Sequence, residues 1–215
     1  MIVAIIPARG GSKRVQNKNI KELGSKPLIY YTIEEAKKSK FIDKIYVTTD
    51  SAEIAYISDS YGVSVISRPK HLAEDDTPTL SVLKHAIGEI EKDIRIQTIV
   101  LLQPTSPLRK SRLIDKCIEK YISLQCDSVV TVEETETLPT LVSLVDDNIV
   151  KCSYKLNGAV YVVKRDCIMN MKVSKKYFVT EMLDHCLNVK GYVTQNIVDI
   201  DTYDDFVLVE NEMNK

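Results

Sequence analysis

No Cys-x-x-Cys pair occurs anywhere in the 215 residues, and the five cysteines, Cys117, Cys126, Cys152, Cys167 and Cys186, are an odd number. Neither a zinc site nor a disulfide framework is therefore expected, and the thiols are expected to be reduced. Histidine is scarce as well. His71, His85 and His185 are scattered without a partner at ligand spacing, so none is assigned to catalysis. Neither charge sign dominates, since 29 Lys plus Arg face 30 Asp plus Glu. That balance excludes a global basic field of the kind that draws in nucleic acid, and any anion binding must be local. Long apolar runs are missing too: none approaches the roughly 20 residues that span a bilayer, so no membrane partner is expected. The first residues enter a strand rather than a secretory signal, which makes the cytoplasm the expected location. With no internal repeat, low-complexity segment or linker, residues 1–215 are expected to form one domain.

What is present is an alternation of strand and helix patterns. Val3 to Ile6 is wholly apolar and mostly β-branched, as a central parallel strand buried on both faces requires, and Pro7 ends it. Pro27 suits the first turn of a helix to about Ser39, with Ile29, Ile33 and Ala36 on one face. Lys44 to Thr49 predicts a strand, after which Ser51 can cap a helix carrying Ile54, Ile57 and Tyr61 and stopped by Gly62. Val63 to Ile66 predicts a strand, Thr77-Pro78 starts a helix with Leu80, Leu83, Ile87 and Ile90 inward, and Thr98 to Leu102 predicts another buried strand. A helix from about Ser111 sets Leu113, Ile114, Cys117, Ile118 and Tyr121 inward, and Ser128 to Val132 predicts a strand. The expected fold is α/β: a doubly wound, mostly parallel sheet with helices on both faces.

The second half is less regular, with a small irregular region around 133–195. Asp146-Asp147-Asn148 between apolar runs predicts a hairpin over Leu141 to Cys152. Gly158 to Val163 and Asn196 to Ile200 predict strands. Thr202 to Asn211 predicts a closing helix with Phe206, Val209 and Met213 facing in.

The loop after the first strand carries the strongest chemical signal. It holds Gly10, Gly11 and Ser12 together with four cations, Arg9, Lys13, Arg14 and Lys18. Glycines let backbone N–H groups converge as an anion nest, Arg supplies paired donors and Lys a mobile point charge. As composition alone this could equally be solvated surface. Its place beyond the carboxyl end of a strand, where open α/β sheets bind ligands, favours a polyanion. Neither the Walker spacing nor Gly-x-Gly-x-x-Gly is present.

Two later segments add to this. Gln103-Pro104-Thr105-Ser106-Pro107-Leu108-Arg109 places amide, hydroxyl and guanidinium groups on a turn stiffened by two prolines, although a rigid loop preceding a helix would read the same way. Asp199 and Asp201 flank Ile200. On a strand they would share one face as paired carboxylates, suited either to magnesium beside phosphate or, for Asp201, to a helix N-cap.

Ile6-Pro7-Ala8-Arg9-Gly10-Gly11-Ser12-Lys13-Arg14 with Lys18-Asn19 resembles the signature of the nonulosonic acid cytidylyltransferases, the group that contains CMP-sialic acid synthetase. Leu101 to Arg109, Arg68-Pro69 with Leu72-Ala73, Asn157-Gly158-Ala159-Val160-Tyr161 and Asp199-Ile200-Asp201-Thr202 are similar to further segments of that family. The resemblance implies a nucleotide-diphospho-sugar transferase-like, Rossmann-like fold. It also implies transfer from CTP to an acidic, sialic acid-like sugar, giving a CMP-sugar for surface glycan biosynthesis. By match, Arg9, Lys13 and Lys18 would neutralise the triphosphate and leaving pyrophosphate. Ala8, Gly10, Gly11, Ser12, Asn19, Arg68, Thr79 and Gln103 would bind the nucleotide, Asn157 and Tyr161 the acceptor, and Asp199 and Asp201 magnesium.

The likeness thins between Val132 and Asn157, where the family carries a longer dimerisation and acceptor-binding arm. Here Glu133-Glu134-Thr135-Glu136-Thr137 is acidic, and only Lys151 and Lys155 stand nearby as cations. A homodimer is an expectation carried by the family alone. Transfer to another acceptor, such as Kdo or a non-sugar acid, and a nucleotide-binding regulator without catalysis remain as alternatives.

Overall fold

In the computed structural model, residues 1–109, 112–134, 143–145, 148–150, 154–174, 178–186, 188–195 and 197–213 are described. The first half alternates as its periodicity predicts. β1 (Ile2–Pro7) leads through the basic loop to a short pair, β2 (Glu22–Leu23) and β3 (Lys26–Pro27), then α1 (Leu28–Lys37), β4 (Lys44–Thr49), α2 (Ala52–Ser60) and β5 (Ser64–Ser67). α3 (Thr79–Ile90), β6 (Thr98–Leu101), α4 (Leu113–Leu124) and β7 (Ser128–Glu134) follow. The predicted hairpin appears as β8 (Ser143–Val145) paired antiparallel with β9 (Asn148–Val150). The rest of that segment, Thr135 to Thr137 and Lys151 included, lies outside the described residues. β10 (Tyr154–Lys164), α5 (Arg165–Asn170), α6 (Phe178–His185), β11 (Val189–Thr194) and α7 (Tyr203–Met213) complete the chain.

Seven strands form one sheet in the order β11-β7-β10-β6-β1-β4-β5. The pairs β1 with β4, β1 with β6, β4 with β5 and β7 with β11 are parallel, and only β10 runs antiparallel to its neighbours. Alternation along β1 divides the core. Ala4 and Ile6 pack with Ile29 and Ile33 of α1, Ile54 of α2 and Ile114 and Ile118 of α4. Val3 and Ile5 pack on the other face with Leu80, Leu83 and Ile87 of α3, Ile168 of α5 and Met182 of α6. Both faces are thus covered, as a near-continuous apolar central strand requires. β4 lies on one side of β1 and β6 on the other, so the order reverses at β1 and opens a crevice beyond its carboxyl end.

Local signals act where they were expected. The Ser51 hydroxyl caps α2, accepting from the Ile54 N–H at 3.3 Å, and Gly62 ends the helix at φ 69°, a conformation that suits glycine. Three expectations are corrected. Residues 197–200 are not a strand: β11 is formed by Val189–Thr194, and Ile200 instead packs with Leu23, Leu28, Phe206 and Val209. Burial of Ile200 against α7, together with the bond from its N–H to Thr105 O at 2.7 Å, takes the place of a ladder. Met213 is exposed, because the inward stripe of α7 ends at Val209. Finally, the cap of α7 is Thr202 rather than Asp201. Its hydroxyl accepts from the Asp205 N–H at 3.3 Å, while Asp205 Oδ2 accepts from the Thr202 N–H at 2.8 Å, a reciprocal box.

Candidate active site

The crevice at the β1 switch point is a cleft of about 860 Å³. One wall is the basic loop, contributing Arg9, Ser12, Lys13, Arg14, Lys18 and Asn19. Facing it are Arg68 from the end of β5, Thr79 at the start of α3 and Gln103 after β6. Asp201 closes the far rim. Nine residues expected at the site are therefore brought together: Arg9, Ser12, Lys13, Lys18, Asn19, Arg68, Thr79, Gln103 and Asp201.

The loop is held by its own hydrogen bonds rather than by bulk. The Ser12 N–H donates to Gly10 O at 3.0 Å, a tight turn, and the Gly10 N–H donates to Asp50 Oδ1 at 3.0 Å. A Cβ on Gly10 would lie 3.0 Å from Ser51 Cβ, a tight contact, so the loop approaches the Asp50-Ser51 turn after β4 most easily without a side chain there. A Cβ on Gly11 would meet nothing within 4 Å, so packing against the chain does not explain that glycine. Asn19 is buried and donates its amide to Arg9 O at 2.9 Å, fixing the backbone that carries the guanidinium. Ala8 is buried behind the cleft, with its N–H on Thr48 O at 3.0 Å.

Arg68 is buried against the end of β4, where its Nε donates to Thr48 Oγ1 at 3.3 Å and Nη2 to Thr48 O. Burial pushes its pKa down to about 10, Asp50 acts in the opposite direction and Arg9 adds to the lowering; it stays charged at neutral pH. The Gln103 side chain reaches the cleft and has no protein partner among the described residues, while its carbonyl is held by Arg109 Nη2. The Thr105 hydroxyl, in the same loop, is buried and has no partner among the described residues.

Lys18 Nζ donates to Ile200 O at 2.7 Å and stands 3.4 Å from Asp201 Oδ1, and Arg14 stands 3.5 Å from Asp201 Oδ2. Asp199 faces the other way, accepting from Ser106 Oγ at 3.2 Å. The two carboxylates are exposed hard-oxygen donors, but they approach from an irregular segment and share no partner among the described residues.

Asn157 and Tyr161 do not line the cleft. Asn157 is buried, with Nδ2 donating to Thr194 Oγ1 at 2.6 Å, and Oδ1 accepts from the Ala159 N–H. This closes the bulge between Leu156 and Tyr161, where Gly158 sits at φ 70°. Tyr161 packs edge-on against Phe178 in the core, and burial, then Asp199, pushes its pKa up to about 12.

Asp50 and Asp75 escaped the sequence reading, while Arg109, read there as a guanidinium on the turn after Gln103, was given no role of its own. Asp75 pairs with Arg9 Nη2 at 2.6 Å and with Lys13 Nζ, and its hydrogen bond from Lys13, then that from Arg9, holds its pKa below the usual carboxylate range. Arg109 is buried, with Nε on Ala159 O at 2.6 Å and Nη1 on Thr32 Oγ1 at 2.7 Å. Asp50 directly follows the buried Thr48-Thr49 end of β4, and that position at the sheet's carboxyl edge was the available signal.

Comparison with known proteins bears on the family and the fold. The family model described as Cytidylyltransferase matches residues 3–208. The chain is 36% identical over 194 residues to the N-acylneuraminate cytidylyltransferase of Escherichia coli, covering 89% of this chain and 44% of that protein. It is 34% identical over 230 residues to the CMP-N,N'-diacetyllegionaminic acid synthase of Legionella pneumophila, covering 99% of this chain and 96% of that one. The chain spans about half the length of the N-acylneuraminate cytidylyltransferases it matches. Among solved structures, CMP:2-keto-3-deoxy-manno-octonic acid synthetase complexed with CTP superposes at a TM-score of 0.80 and 16% identity, over 99% of this chain and 98% of that one. That likeness supports the fold: an α/β sheet, mostly parallel, with helices on both faces. With a match reaching nearly end to end and a basic loop at the switch point, the chain belongs to the cytidylyltransferase family.

Proposed function

We propose that the chain transfers a cytidylyl group from CTP to a hydroxyl of an acidic nonulosonic sugar, releasing pyrophosphate. The observation that carries this is the facing of Arg9, Lys13 and Lys18 across one cleft from the unpartnered Gln103 amide, a polyphosphate wall opposite a base-reading wall. The near end-to-end match to the Legionella synthase favours a nonulosonic acceptor over Kdo or a non-sugar acid.

In this reading the acceptor oxygen attacks the α-phosphorus in line, the bond from that phosphorus to the bridging oxygen of pyrophosphate breaks, and the hydroxyl proton passes to solvent. Arg9, Lys13 and Lys18 neutralise charge on the phosphates, and the backbone after Ala8, with Gly10, Gly11, Ser12 and Asn19, shapes their cradle. Arg68, Thr79 and Gln103 hold the nucleoside. Little covalent chemistry falls to the protein, so rate comes from positioning and preorganised charge. Asp201 at the rim would offer magnesium a carboxylate beside the substrate phosphates, and Asp199 a second one on leaving Ser106; magnesium takes one or two carboxylates together with substrate phosphates and waters. Bound there, it would withdraw charge from the reacting phosphate. Asn157 and Tyr161 act at the acceptor side by shaping the bulge of β10 rather than by lining the cleft.

The test follows pyrophosphate release with CTP, magnesium and N-acetylneuraminic, legionaminic, pseudaminic or Kdo acid. Release that needs both CTP and one nonulosonic acid supports the reading. Release with Kdo alone reassigns the acceptor, and CTP binding without release under any acid indicates a regulator. Light scattering on the same preparation tests the homodimer.

A further inference from the structure

The three acidic residues Glu74, Asp75 and Asp76 lie between β5 and α3, directly across from the basic loop. They are not equivalent. Glu74 and Asp75 line the cleft, and Asp75 alone of the three is in ion-pair contact with the basic loop among the described residues. Its two carboxylate oxygens are divided, Oδ1 to Arg9 Nη2 at 2.6 Å and Oδ2 to Lys13 Nζ. One anion thus bridges two cations, which is the arrangement a phosphate group with two free oxygens would make with the same pair. The same loop also takes a second donor from Arg9, whose Nη1 lies 3.4 Å from Ala73 O.

We propose that Asp75 is an internal counter-anion that competes with polyphosphate for Arg9 and Lys13, and so sets how tightly the site holds CTP and how readily it gives up pyrophosphate. This rests on the reading of the cleft as a nucleoside triphosphate site. The physical reason is charge economy. A site that concentrates four cations binds triphosphate and product pyrophosphate alike, and tight product binding slows turnover. A carboxylate on a neighbouring loop offers the cations an alternative partner as pyrophosphate departs, and keeps their side chains spaced for the next nucleotide. Both ion pairs are part-exposed, with the Asp75 side chain 40% exposed, so exchanging them for phosphate oxygens is cheap. Asp75 touches the phosphate-binding groups and not the reacting atoms; it is a positioning residue.

The experiment compares wild type, Asp75→Asn and Asp76→Asn for binding of inorganic pyrophosphate and CTP by calorimetry, and for steady-state turnover. Asp76→Asn removes the same charge one residue away without touching an ion pair, and so reports the long-range field alone. The expected result is pyrophosphate binding tighter by roughly five- to tenfold in Asp75→Asn, and by less than about twofold in Asp76→Asn. KM for CTP and kcat should fall together in Asp75→Asn, the signature of retained product. Thermal midpoints check that the variants fold, and Asp75→Ala should repeat the tightening if Asp75→Asn does not fold. Unchanged or weaker pyrophosphate binding in the Asp75 variants overturns the proposal, as does equal tightening by Asp76→Asn. Wild type binding neither pyrophosphate nor CTP would overturn the reading of the site itself, an outcome separate from the behaviour of the variants.

Discussion

Lys18 ties the two ends of the chain together at the cleft: its ammonium donates to Ile200 O at 2.7 Å and stands 3.4 Å from Asp201 Oδ1, across 183 positions of sequence. The side chain is largely buried, so the cation proposed to face the phosphates also anchors the segment that carries both carboxylates. Lys18→Met should therefore cost stability as well as activity. Losing one charge-assisted hydrogen bond is expected to lower stability by about 1–2 kcal/mol and the thermal midpoint by about 4 °C. Calorimetric unfolding beside turnover checks the pair of effects; a stable variant without activity would separate the two roles.

Arg9 should behave differently. Its partners are Asp75 and Ala73 O, both on one part-exposed loop, so Arg9→Ala is expected to cost under about 1 kcal/mol of stability. If Arg9 meets the triphosphate as proposed, removing its charge should lower kcat about 10²- to 10³-fold. A folded Arg9→Ala protein with unchanged turnover would refute that role.

Arg109 makes the opposite prediction. Its guanidinium is buried and joins three separate parts of the fold, Thr32 of α1, the Gln103 carbonyl and Ala159 of β10. Arg109→Met leaves those oxygens without a donor in the interior, which is expected to cost about 2–4 kcal/mol. Because Gln103 is released in the same event, KM for CTP should rise more than kcat falls. Arg109→Lys keeps the charge but lacks the planar fork, and should recover only part of each loss. Chemical denaturation and CTP titration measure both.

The legible parts were those in which one residue type has one physical use. β1 and the Ile99–Leu101 part of β6 are unbroken apolar runs because they are buried on both faces, and such runs can be read directly. Ser51 and Gly62 marked the ends of α2 for the same reason. β11 was missed because it is an edge strand: Val189–Thr194 alternates weakly, with Lys190 and Gly191 exposed, while Asn196–Ile200 looked more apolar. Ile200 is apolar for packing against Phe206 and Val209, a long-range cause that no local pattern carries. In the site, the cations were visible as a cluster, but Asp75 was hidden. A carboxylate in an acidic run normally reads as solvated surface, and only the fold brings it onto Arg9 and Lys13.

The cap of α7 predicts a pH effect with a definite sign. Asp205 Oδ2 accepts from the Thr202 N–H, the Thr202 hydroxyl and the Asp201 N–H at 2.8, 2.8 and 3.0 Å. Those bonds, the Thr202 hydroxyl first, lower its pKa in the folded protein. Folding therefore favours the carboxylate: the stabilisation is complete above the ordinary carboxylate pKa and is lost as pH falls through the lower, folded value. Asp205→Ala should cost about 1 kcal/mol at pH 7. Urea unfolding at pH 7 and near pH 2.5 should show the gap between variant and wild type narrowing in acid, and a gap that widened would refute the assignment.

Magnesium supplies the last prediction, and its readout is binding as well as activity. Asp199 and Asp201 are the acidic side chains offered for it, yet each already has a partner, Ser106 for Asp199, and Lys18 with Arg14 for Asp201. A cation at Asp201 must compete with two positive side chains, so affinity without nucleotide should be weak. It should rise when CTP phosphates draw Lys18 and Arg14 away and add oxygen ligands of their own. Manganese titration followed by electron paramagnetic resonance should show cooperative uptake with CTP. Asp199→Asn and Asp201→Asn should each weaken that uptake by at least about tenfold, one ligand's charge being lost. Metal chelation should abolish pyrophosphate release in wild type while leaving the fold intact, because the carboxylates keep their protein partners. Undiminished uptake in both variants would place the metal elsewhere and leave Asp201 with a structural task, holding Lys18 and Arg14 in register at the rim.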